Sequence, residues 1–537
     1  MSKLLRFLFG IIAGLSFFGC AIQVPPGGGD KDIAPPVIEK MIPENYSTGF
    51  TGHDIVIRFD EFIVLKDIQS QLLVSPPLAN PPETKVRKKT LFIHFEDTLR
   101  EHSTYTFNFG NAIVDNNEGN VLENFQYVLS TGDVIDSLEI KGKAEFAFDH
   151  KTEKGILVML YRQEDDSVVF RERPLYFAKT NDAGIFHVKN IAPGSYKVFA
   201  LKYTGTDYQY SSTGESIAFP DSLVPAGSDD VRLYLFSEKP KFQLTRSYSE
   251  FAGKAVIAAN GALDTVPIAW LSDTAKLNIH AMLYSVKKDT LTIWYKNIVA
   301  DTLQFALKQG LKTDTITLRL FKFEGKQNPR QPFKLTADIA VSMVQPQDLN
   351  LPLNILFNHP VKVMDSSAIR LMTDSLQVNP LNISFADTIQ RQLILGTEWK
   401  EGKSYHLFIP AGAIEDLYGL KNDTILLDFR TREIVDYGTV AVHYTGNPGA
   451  APDILQLIDA KDQVIREAVV EADSVLEFNY LLPGSYRLKS IADENRNGIW
   501  DTGNYLKKIQ PEVVRYYPEA IMVRANWDVD VKWNTGN

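Results

Sequence analysis

The chain has 537 residues, an apolar content of 44% and a formal net charge of −10. A single hydrophobic core rarely serves a chain of this length, so several domains are expected. The acidic balance and the lack of a domain-sized basic face argue against nucleic acid as a partner. Because Cys20 is the only cysteine, no intramolecular disulfide can form. Packing, with or without a metal or partner proteins, must therefore stabilise the body of the protein.

The first element in chain order is a short apolar segment near the start of the sequence. Basic residues precede an apolar run that ends at Phe18, and the run is too short to span a membrane as a helix. Gly19 and Cys20 follow it. This arrangement resembles a bacterial lipoprotein signal over residues 1–19, which implies cleavage before Cys20 and acylation of that cysteine. An ordinary secretory signal with an incidental thiol is the alternative. The Pro/Gly-rich residues 20–35 then form a flexible tether.

Short alternating runs follow the tether and are separated by Gly, Pro, Asn and Asp. The runs Ile55–Phe59, Leu91–Phe95 and Tyr105–Phe109 each place apolar side chains at every second position, which is the period of a β-strand. Amphipathic segments of helical period are scarce and short. The sequence therefore predicts an all-β chain, and runs at this spacing are typical of β-sandwiches.

Two blocks, residues 36–133 and 337–432, repeat the same landmarks in the same order. Each block has an Ile-x-Phe-Asp or Ile-Leu-Phe-Asn strand, then a tyrosine, an Ile-x-Asp turn and a closing threonine. The tyrosines are Tyr105 and Tyr405, and the spacings agree within a residue or two. This signature resembles the bacterial Ig-like domain first described in S-layer proteins. That family is a structural module without a shared active site, so the resemblance implies a fold for both blocks and no particular chemistry.

A second repeat is centred on a Pro-Gly turn between two alternating strands. Pro193 and Pro483 each precede a glycine, so proline fixes one φ angle of the turn and glycine accepts a positive one. A tyrosine follows each turn, at Tyr196 and Tyr486. This hairpin resembles the small prealbumin-like sandwich found beside carboxypeptidases and on bacterial surface proteins. The resemblance implies one such sandwich in each copy.

These repeats predict the domain organisation. Residues 134–239 and 433–537 form the two prealbumin-like sandwiches, and residues 240–336 form a further β-sandwich with no recognisable motif. The order is therefore signal, tether, Ig-like, prealbumin-like, unassigned sandwich, Ig-like and prealbumin-like. This order, with its Pro/Gly-rich tether, resembles the Ig-domain lipoproteins of Bacteroidota.

The clearest candidate for specific chemistry is a loop in the last block that matches the D-x-N-x-N-G start of a calcium-binding loop. Calcium takes about six to eight hard oxygen ligands, and alternate positions of a tight loop can supply them. The candidate ligands are the side chains of Asp493, Asn495, Asn497 and Asp501 and the main-chain carbonyl of Ile499.

The loop departs from an EF-hand in two respects. Position 12 is Asn504 rather than the bidentate glutamate, and no helices flank the loop. With only two carboxylates, calcium should bind weakly, with a dissociation constant on the order of 10⁻⁴ to 10⁻³ M. The alternative is an Asx-rich turn that holds no metal. The corresponding segment of the first copy, residues 203–208, lacks the pattern and is predicted not to bind calcium.

Motifs for catalysis are missing from the sequence. The nine histidines are scattered, and there is no G-x-S-x-G elbow and no phosphate-binding glycine loop between a strand and a helix. We therefore expect that the protein is not an enzyme. A hydrolase that uses a pair of carboxylates is the least favoured alternative.

The sequence thus favours a non-catalytic outer-membrane lipoprotein that is anchored through Cys20. Its sandwiches would form a rigid scaffold for other cell-envelope proteins, on the periplasmic or the external face. The alternative from another class is a surface glycan-binding or adhesion module. Tyr516, Tyr517, Trp527 and Trp533 could then form a stacking face, although aromatic residues in strands more often pack in a core.

Overall fold

The computed structural model describes residues 32–162, 165–202, 208–211, 214–240, 242–271, 278–296, 301–309, 312–321, 334–446, 449 and 451–535. Cys20, the signal segment, most of the tether and residues 203–207 lie outside these ranges. Within them, the chain forms five successive β-sandwiches. The α-helices there are two single turns, α1 (Ile68–Gln71) and α2 (Val168–Arg171), and 3₁₀ turns occur at Leu263–Thr265, Ser366–Ala368 and Ile434–Asp436. The prediction of an all-β chain of tandem sandwiches is confirmed.

The first sandwich contains β1 (Ile38–Ile42), β2 (Asp54–Phe59), β3 (Ile63–Leu65), β4 (Leu73–Ser75), β5 (Glu83–Arg87), β6 (Thr90–His94), β7 (Thr104–Asn108), β8 (Ile113–Asp115) and β9 (Gln126–Ser130). The strand orders are β1-β2-β6-β5 and β4-β7-β9, and β3 pairs with β8. Ile55, Ile57 and Phe59 on β2 face the core, because successive side chains of a strand point to opposite faces.

The second sandwich contains β10 (Leu138–Phe146), β11 (Leu157–Tyr161), β12 (Tyr176–Lys179), β13 (Ile185–Ile191), β14 (Ser195–Lys202), β15 (Ser216–Ala218), β16 (Val224–Pro225) and β17 (Val231–Ser237). They form one continuous sheet in the order β12-β11-β14-β15-β17-β10-β13, and β16 pairs with β14. β10 and β17 run parallel, whereas the other pairs are antiparallel. The sheet encloses two apolar clusters, one around Tyr196 and one around Phe199.

The third sandwich contains β18 (Leu244–Phe251), β19 (Lys254–Ala259), β20 (Ile268–Trp270), β21 (Ile279–Tyr284), β22 (Thr290–Tyr295), β23 (Thr302–Gln309) and β24 (Lys312–Arg319). The sheets β18-β19-β22-β21 and β20-β23-β24 pack around Ile257, Ile293 and Phe305. These three residues are buried and point to the same core, because every second side chain of a strand lies on one face of its sheet.

The fourth sandwich contains β25 (Ala337–Asp338), β26 (Leu353–Phe357), β27 (Val361–Met364), β28 (Arg370–Thr373), β29 (Leu376–Gln377), β30 (Asn382–Phe385), β31 (Gln392–Gly396), β32 (Ser404–Ile409), β33 (Ile414–Asp416) and β34 (Ile425–Arg430). Its sheets, β25-β26-β31-β30 and β29-β28-β32-β34 with the pair β27-β33, repeat the topology of the first sandwich.

Tyr105 on β7 and Tyr405 on β32 occupy equivalent strands and make equivalent contacts. The Tyr105 hydroxyl accepts the N–H of Arg100 at 2.8 Å, and the Tyr405 hydroxyl accepts that of Lys400 at 3.0 Å. In each copy the closing threonine donates to the carbonyl of that same residue at 2.6 Å. The repeated landmarks therefore build the same local structure twice.

The fifth sandwich contains β35 (Gly438–Thr445), β36 (Asp453–Ile458), β37 (Val464–Val470), β38 (Ser474–Leu481), β39 (Gly484–Ala492), β40 (Val514–Tyr516), β41 (Ile521–Val523) and β42 (Asp528–Asn534). The strand orders are β38-β35-β42 and β37-β36-β39-β40, and β41 pairs with β39. Val440, Leu457 and Leu488 are among the buried residues of its core.

Contacts between sandwiches fold the chain back on itself. Trp294 of the third sandwich packs against Ile389 and Leu417 of the fourth. At the start of the fifth, the Tyr437 hydroxyl donates to the carboxylate of Asp348 of the fourth at 2.9 Å. The fifth sandwich in turn packs against the second, although hundreds of residues separate them in sequence. The chain thus returns to its second sandwich through its fifth. We call this contact between the fifth and second sandwiches the return contact, and it contains the candidate site.

Candidate functional site

The loop from Asp493 to Asp501 follows β39 directly and is a tight, internally bonded turn. Asp493 is buried, and its two carboxylate oxygens accept the N–H groups of Asn497 at 3.0 Å and Gly498 at 2.8 Å. Gly498 has φ +77°, a left-handed conformation that glycine adopts without steric cost. Such side-chain-to-main-chain bonds are how Asp and Asn residues stabilise a turn.

Four of the predicted ligands meet within this loop. The side-chain amides of Asn495 and Asn497 donate to the same Asp501 oxygen, Oδ2, at 2.6 and 2.5 Å. The other Asp501 oxygen forms an ion pair with Lys239. Burial alone would raise the pKa of Asp501, but the hydrogen bonds from Lys239 and the two amides lower it below its usual value. The side chain of Ile499 points to solvent, and its N–H donates to the Asn497 side chain at 2.9 Å.

Glu512 joins this loop and was not predicted. Its carboxylate accepts the N–H of Glu494 at 3.0 Å and that of Asp501 at 2.8 Å, which ties both ends of the loop together. Burial raises the pKa of Glu512, and the negative charges of Asp501 and Asp493 add to the increase. No local pattern marks this residue, because it returns to the loop only through the path of the chain.

The buried carboxylate of Glu512 adds an acidic group beside those of Asp493 and Asp501. In the described part of the chain, no three His, Cys, Asp or Glu side chains are arranged as metal ligands, and amide N–H groups face Asp501. A half-turn of each asparagine amide would replace these donors with oxygens at the same point. Calcium binding at this loop therefore stays a prediction.

The residues after the loop, 502–510, form an arm that inserts into the second sandwich. Tyr505 at its tip is 0% exposed and packs against Phe199 and Phe219, with ring centroids 5.2 and 5.0 Å apart. Its hydroxyl donates to the carbonyl of Asp166 at 2.6 Å, and its N–H donates to Glu238 at 2.7 Å. An aromatic residue buried in this way excludes water from a large area and has both polar groups satisfied.

Polar contacts flank Tyr505 on both sides of the arm. Thr502 donates to the carbonyl of Ser237 at 2.8 Å, and Gln510 donates to the carbonyl of Phe219 at 3.0 Å. A Cβ atom on Gly503 would lie 2.7 Å from the ring of Phe236, so only glycine allows this close approach. The calcium-type loop and the docking arm are consecutive, and Lys239 links the loop directly to the end of the second sandwich.

A buried lysine lies in the same interface. Lys489 on β39 is 3% exposed, and its ammonium lies 3.1 Å from the centre of the Phe148 ring of the second sandwich. Trp500 also packs against Phe148, with ring centroids 4.9 Å apart. Burial lowers the pKa of Lys489 to about 8. The cation–π contact thus compensates in part for removing this charge from water.

The C-terminal aromatic residues do not form a common surface. Trp533 is buried in the core of the fifth sandwich, and Tyr517 packs against it at 5.9 Å. Tyr516 contacts His150 of the second sandwich at 5.4 Å. Trp527 is 56% exposed and carries Arg524 over its ring, and no ring of the described residues stacks beside it. The structure therefore places these four residues in three environments, with Tyr517 and Trp533 together in the core region of the fifth sandwich.

Comparison with known proteins supports the Ig-like assignment at the start of the chain. Residues 32–131 match the bacterial Ig-like domain family. This match covers the first sandwich. No curated protein matches the chain.

Solved structures that resemble the chain include a pilin subunit and a surface layer protein. BcpA, the major pilin subunit of Bacillus cereus, is 8% identical, with 74% of this chain and 99% of that chain covered and a TM-score of 0.15. Domains 1-6 of the surface layer protein SbsC are 11% identical, with 88% and 67% covered and a TM-score of 0.14. Among the described residues, no helix is long and apolar enough to cross a bilayer.

Proposed function

We propose that this protein is a non-catalytic scaffold of the cell envelope, anchored to the outer membrane by acyl chains on Cys20, that holds other envelope proteins. The observation that supports it best is the insertion of Tyr505 into the second sandwich. Interfaces between domains are usually small and allow relative motion. A buried aromatic anchor with satisfied polar groups restricts this motion, and a scaffold needs fixed distances between its binding surfaces.

The Ig-like family match supports a structural or adhesive role. A glycan-binding role has less support, because stacking of a sugar needs an exposed aromatic platform and Trp527 is isolated. A hydrolase has the least support, since the perturbed carboxyls of the loop, Asp501 and Glu512, bond to main-chain and side-chain donors of the same interface. Those bonds give both groups a structural task.

We further propose that calcium stabilises the return contact. In this proposal Asp493, Asn495, Asn497, Asp501 and the Ile499 carbonyl bind the ion, and Glu512 supplies the carboxylate that position 12 of the loop lacks. Calcium would neutralise three crowded carboxylates, two of them buried, immediately before the docking arm. The ion would act on the scaffold and take no part in a reaction.

Two experiments test the anchored scaffold. Cys20→Ala should release the protein from the membrane fraction or block its processing, whereas the tether variant Gln23→Ala should behave as wild type. Retention of Cys20→Ala in the membrane with unchanged acyl labelling would overturn the anchor. Affinity purification from gently solubilised outer membranes should recover specific envelope proteins in fixed ratio to the bait. Recovery of the bait alone contradicts the scaffold role.

A further inference from the structure

A cleft of about 910 Å³ lies between the first and second sandwiches. Residues of β4, β7 and β9 line one wall, and residues of β12 and β13 line the other. Two bonds cross between the walls: Asn190 donates to the Thr106 hydroxyl at 2.8 Å, and the Phe177 N–H donates to the Ser75 hydroxyl at 3.2 Å. The cleft is therefore held at a fixed width, and its volume suits a ligand-binding site.

The edge of β13 opens into this cleft. β13 is the last strand of its sheet and pairs with β10 alone in the described residues. The N–H and C=O groups of Ile185 both bond to Asn181, which shows that they point away from β10. Main-chain groups alternate in direction along an antiparallel strand. Those of His187 therefore point into the cleft, where no strand of the described residues pairs with them, and a β-bulge follows between Val188 and Ile191.

The edge of β12 also opens into the cleft. β12 ends the same sheet on the opposite side and pairs with β11 alone in the part that the structure describes. The Phe177 N–H points to the first sandwich, and the Thr180 N–H points back to Ile156. Lys179 is two residues after Phe177 and one residue before Thr180, so its main-chain groups share the direction of those of Phe177. One cleft thus receives two unpaired edges.

The charged residues of the cleft are divided between its walls. On the second-sandwich wall, Lys154 pairs with Asp182 at 4.0 Å and His187 pairs with Glu139 at 2.5 Å. Lys179 and Lys189 on that wall, and Asp67 and Glu123 on the first-sandwich wall, form no ion pair within the described ranges. Burial lowers the pKa of Lys179 below its usual value. The two lysines without an ion pair therefore lie on the wall that carries the open edges, and the two unpaired carboxylates lie on the facing wall.

We propose that this cleft binds an extended polypeptide segment of a partner protein, which pairs with the edge of β13 as an added strand and places acidic side chains over Lys179 and Lys189. The inference rests on the proposed scaffold function and names how one partner is held. In strand addition, main-chain hydrogen bonds give the affinity and alternate side chains give the specificity. Lysine on an edge strand also discourages unwanted pairing, and the variants below separate the two roles.

The first test uses a synthetic decapeptide of alternating Glu and Val as the probe and the full-length protein at low salt. We expect binding, together with slower amide exchange over residues 185–191. The same peptide with every second main-chain nitrogen methylated keeps its charge but cannot pair as a strand, so it should bind at least tenfold more weakly. Equal binding of both peptides, or no binding of the unmodified one at millimolar concentration, overturns the proposal.

The second test changes the protein. Lys179→Ala and Lys189→Ala should each weaken binding by about two- to fivefold, as expected for charges at the rim of a site. Lys532→Ala, on an edge strand of the fifth sandwich, is the control and should have no effect. If both cleft variants bind as tightly as wild type or more tightly, the lysines act only as guards against pairing and the proposal fails.

The main-chain contribution has its own pair of variants. His187→Pro removes an N–H from the open edge and should weaken binding about tenfold. Glu477→Pro, at the position of β38 that corresponds to His187, should leave binding unchanged. The N-methylated probe gives the same information on the unaltered protein if either variant fails to fold.

Purification from outer membranes distinguishes the cleft from the scaffold role. If the Lys179→Ala/Lys189→Ala double variant recovers the same envelope proteins as wild type, the scaffold stands and the strand proposal fails. If the wild-type protein recovers no envelope proteins, the scaffold role is contradicted, whatever the double variant does. Self-association that the double variant loses would identify a second copy as the occupant and would also overturn the proposal.

Discussion

The second and fifth sandwiches follow the same succession of strands, but only the second joins its strands into one sheet. β10 to β17 correspond one by one to β35 to β42, including the parallel first and last strands. Tyr196 donates to the carbonyl four residues earlier at 2.6 Å, and Tyr486 does so at 2.7 Å. In the second sandwich β15 also pairs with β17, whereas their counterparts β40 and β42 do not pair.

The segment between the tyrosine strand and the next strand explains this difference. In the fifth sandwich, residues 493–513 leave the sandwich, form the calcium-type loop and supply the arm that carries Tyr505. In the second sandwich the same connection is shorter. One copy therefore supplies an inserting segment and the other supplies the aromatic pocket that receives it.

A single strand position shows how the two copies diverged for this contact. Phe199 and Lys489 occupy the same position relative to the repeated tyrosine, and each faces the other copy. Phe199 packs against Tyr505, and Lys489 lies over Phe148. The comparison indicates that a repeated framework can be preserved while the residues at one face specialise for docking.

The largest effect should come from removing the anchor of the arm. Tyr505→Ala leaves a cavity among buried aromatic residues. It should weaken the packing of the fifth sandwich against the second by about 3–5 kcal/mol. In calorimetry of the full chain, we expect the fifth sandwich to unfold separately and earlier. Leu506→Ala, at a side chain that is 68% exposed, is the control. Similar profiles for the two variants would show that the arm does not hold the sandwiches together.

The next effect concerns the lysine that replaces an apolar residue. In the folded chain, burial lowers the pKa of the Lys489 ammonium to about 8, whereas in the unfolded chain this pKa has its usual value of 10.5. The free energy of unfolding should therefore rise with pH between these values. The Lys489→Met variant should be more stable than wild type by about 2 kcal/mol at pH 7. Its free energy of unfolding should no longer rise with pH between these values.

Urea unfolding from pH 6 to 10 measures this dependence. Lys461→Met, at an exposed lysine of the same sandwich, should keep the wild-type profile. A lower stability of Lys489→Met at pH 7 would mean that the contact with Phe148 outweighs the cost of burial.

Calcium should have a smaller effect on the same interface. A ligand at ten times its dissociation constant stabilises the folded state by about 1.4 kcal/mol. Melting of the full chain should therefore shift upward by a few degrees in millimolar calcium relative to chelator. Asp493→Ala and Glu512→Gln should abolish the shift, while Glu494→Gln should retain it. If wild type melts identically in both conditions, the loop is an Asx-rich turn only.

The smallest effect tests whether the repeated tyrosines are equivalent. Tyr196→Phe and Tyr486→Phe each remove one hydrogen bond to a main-chain carbonyl and should cost about 1 kcal/mol. Tyr234→Phe, at a half-exposed side chain, should cost less. A large difference between the two repeated positions would show that docking has changed their local stability.

The sequence by itself determined the strands and the repeated local motifs. Alternation of apolar residues, as in Ile55, Ile57 and Phe59, sets which face of a strand is buried. The Pro-Gly turn and the tyrosine after it act over a few neighbouring residues, so their structure recurs wherever the motif recurs. The internal bonds of the loop from Asp493 to Asp501 are local for the same reason.

Only the tertiary structure decided which distant residues meet. Glu512 reaches Asp501 through the course of the chain, and Tyr505 enters a pocket whose residue Phe199 lies about three hundred positions earlier. Likewise, the cleft that β12 and β13 share with β4, β7 and β9 depends on how the first sandwich packs against the second. Such contacts are set by the packing of whole sandwiches, and no local pattern of residue types encodes that packing.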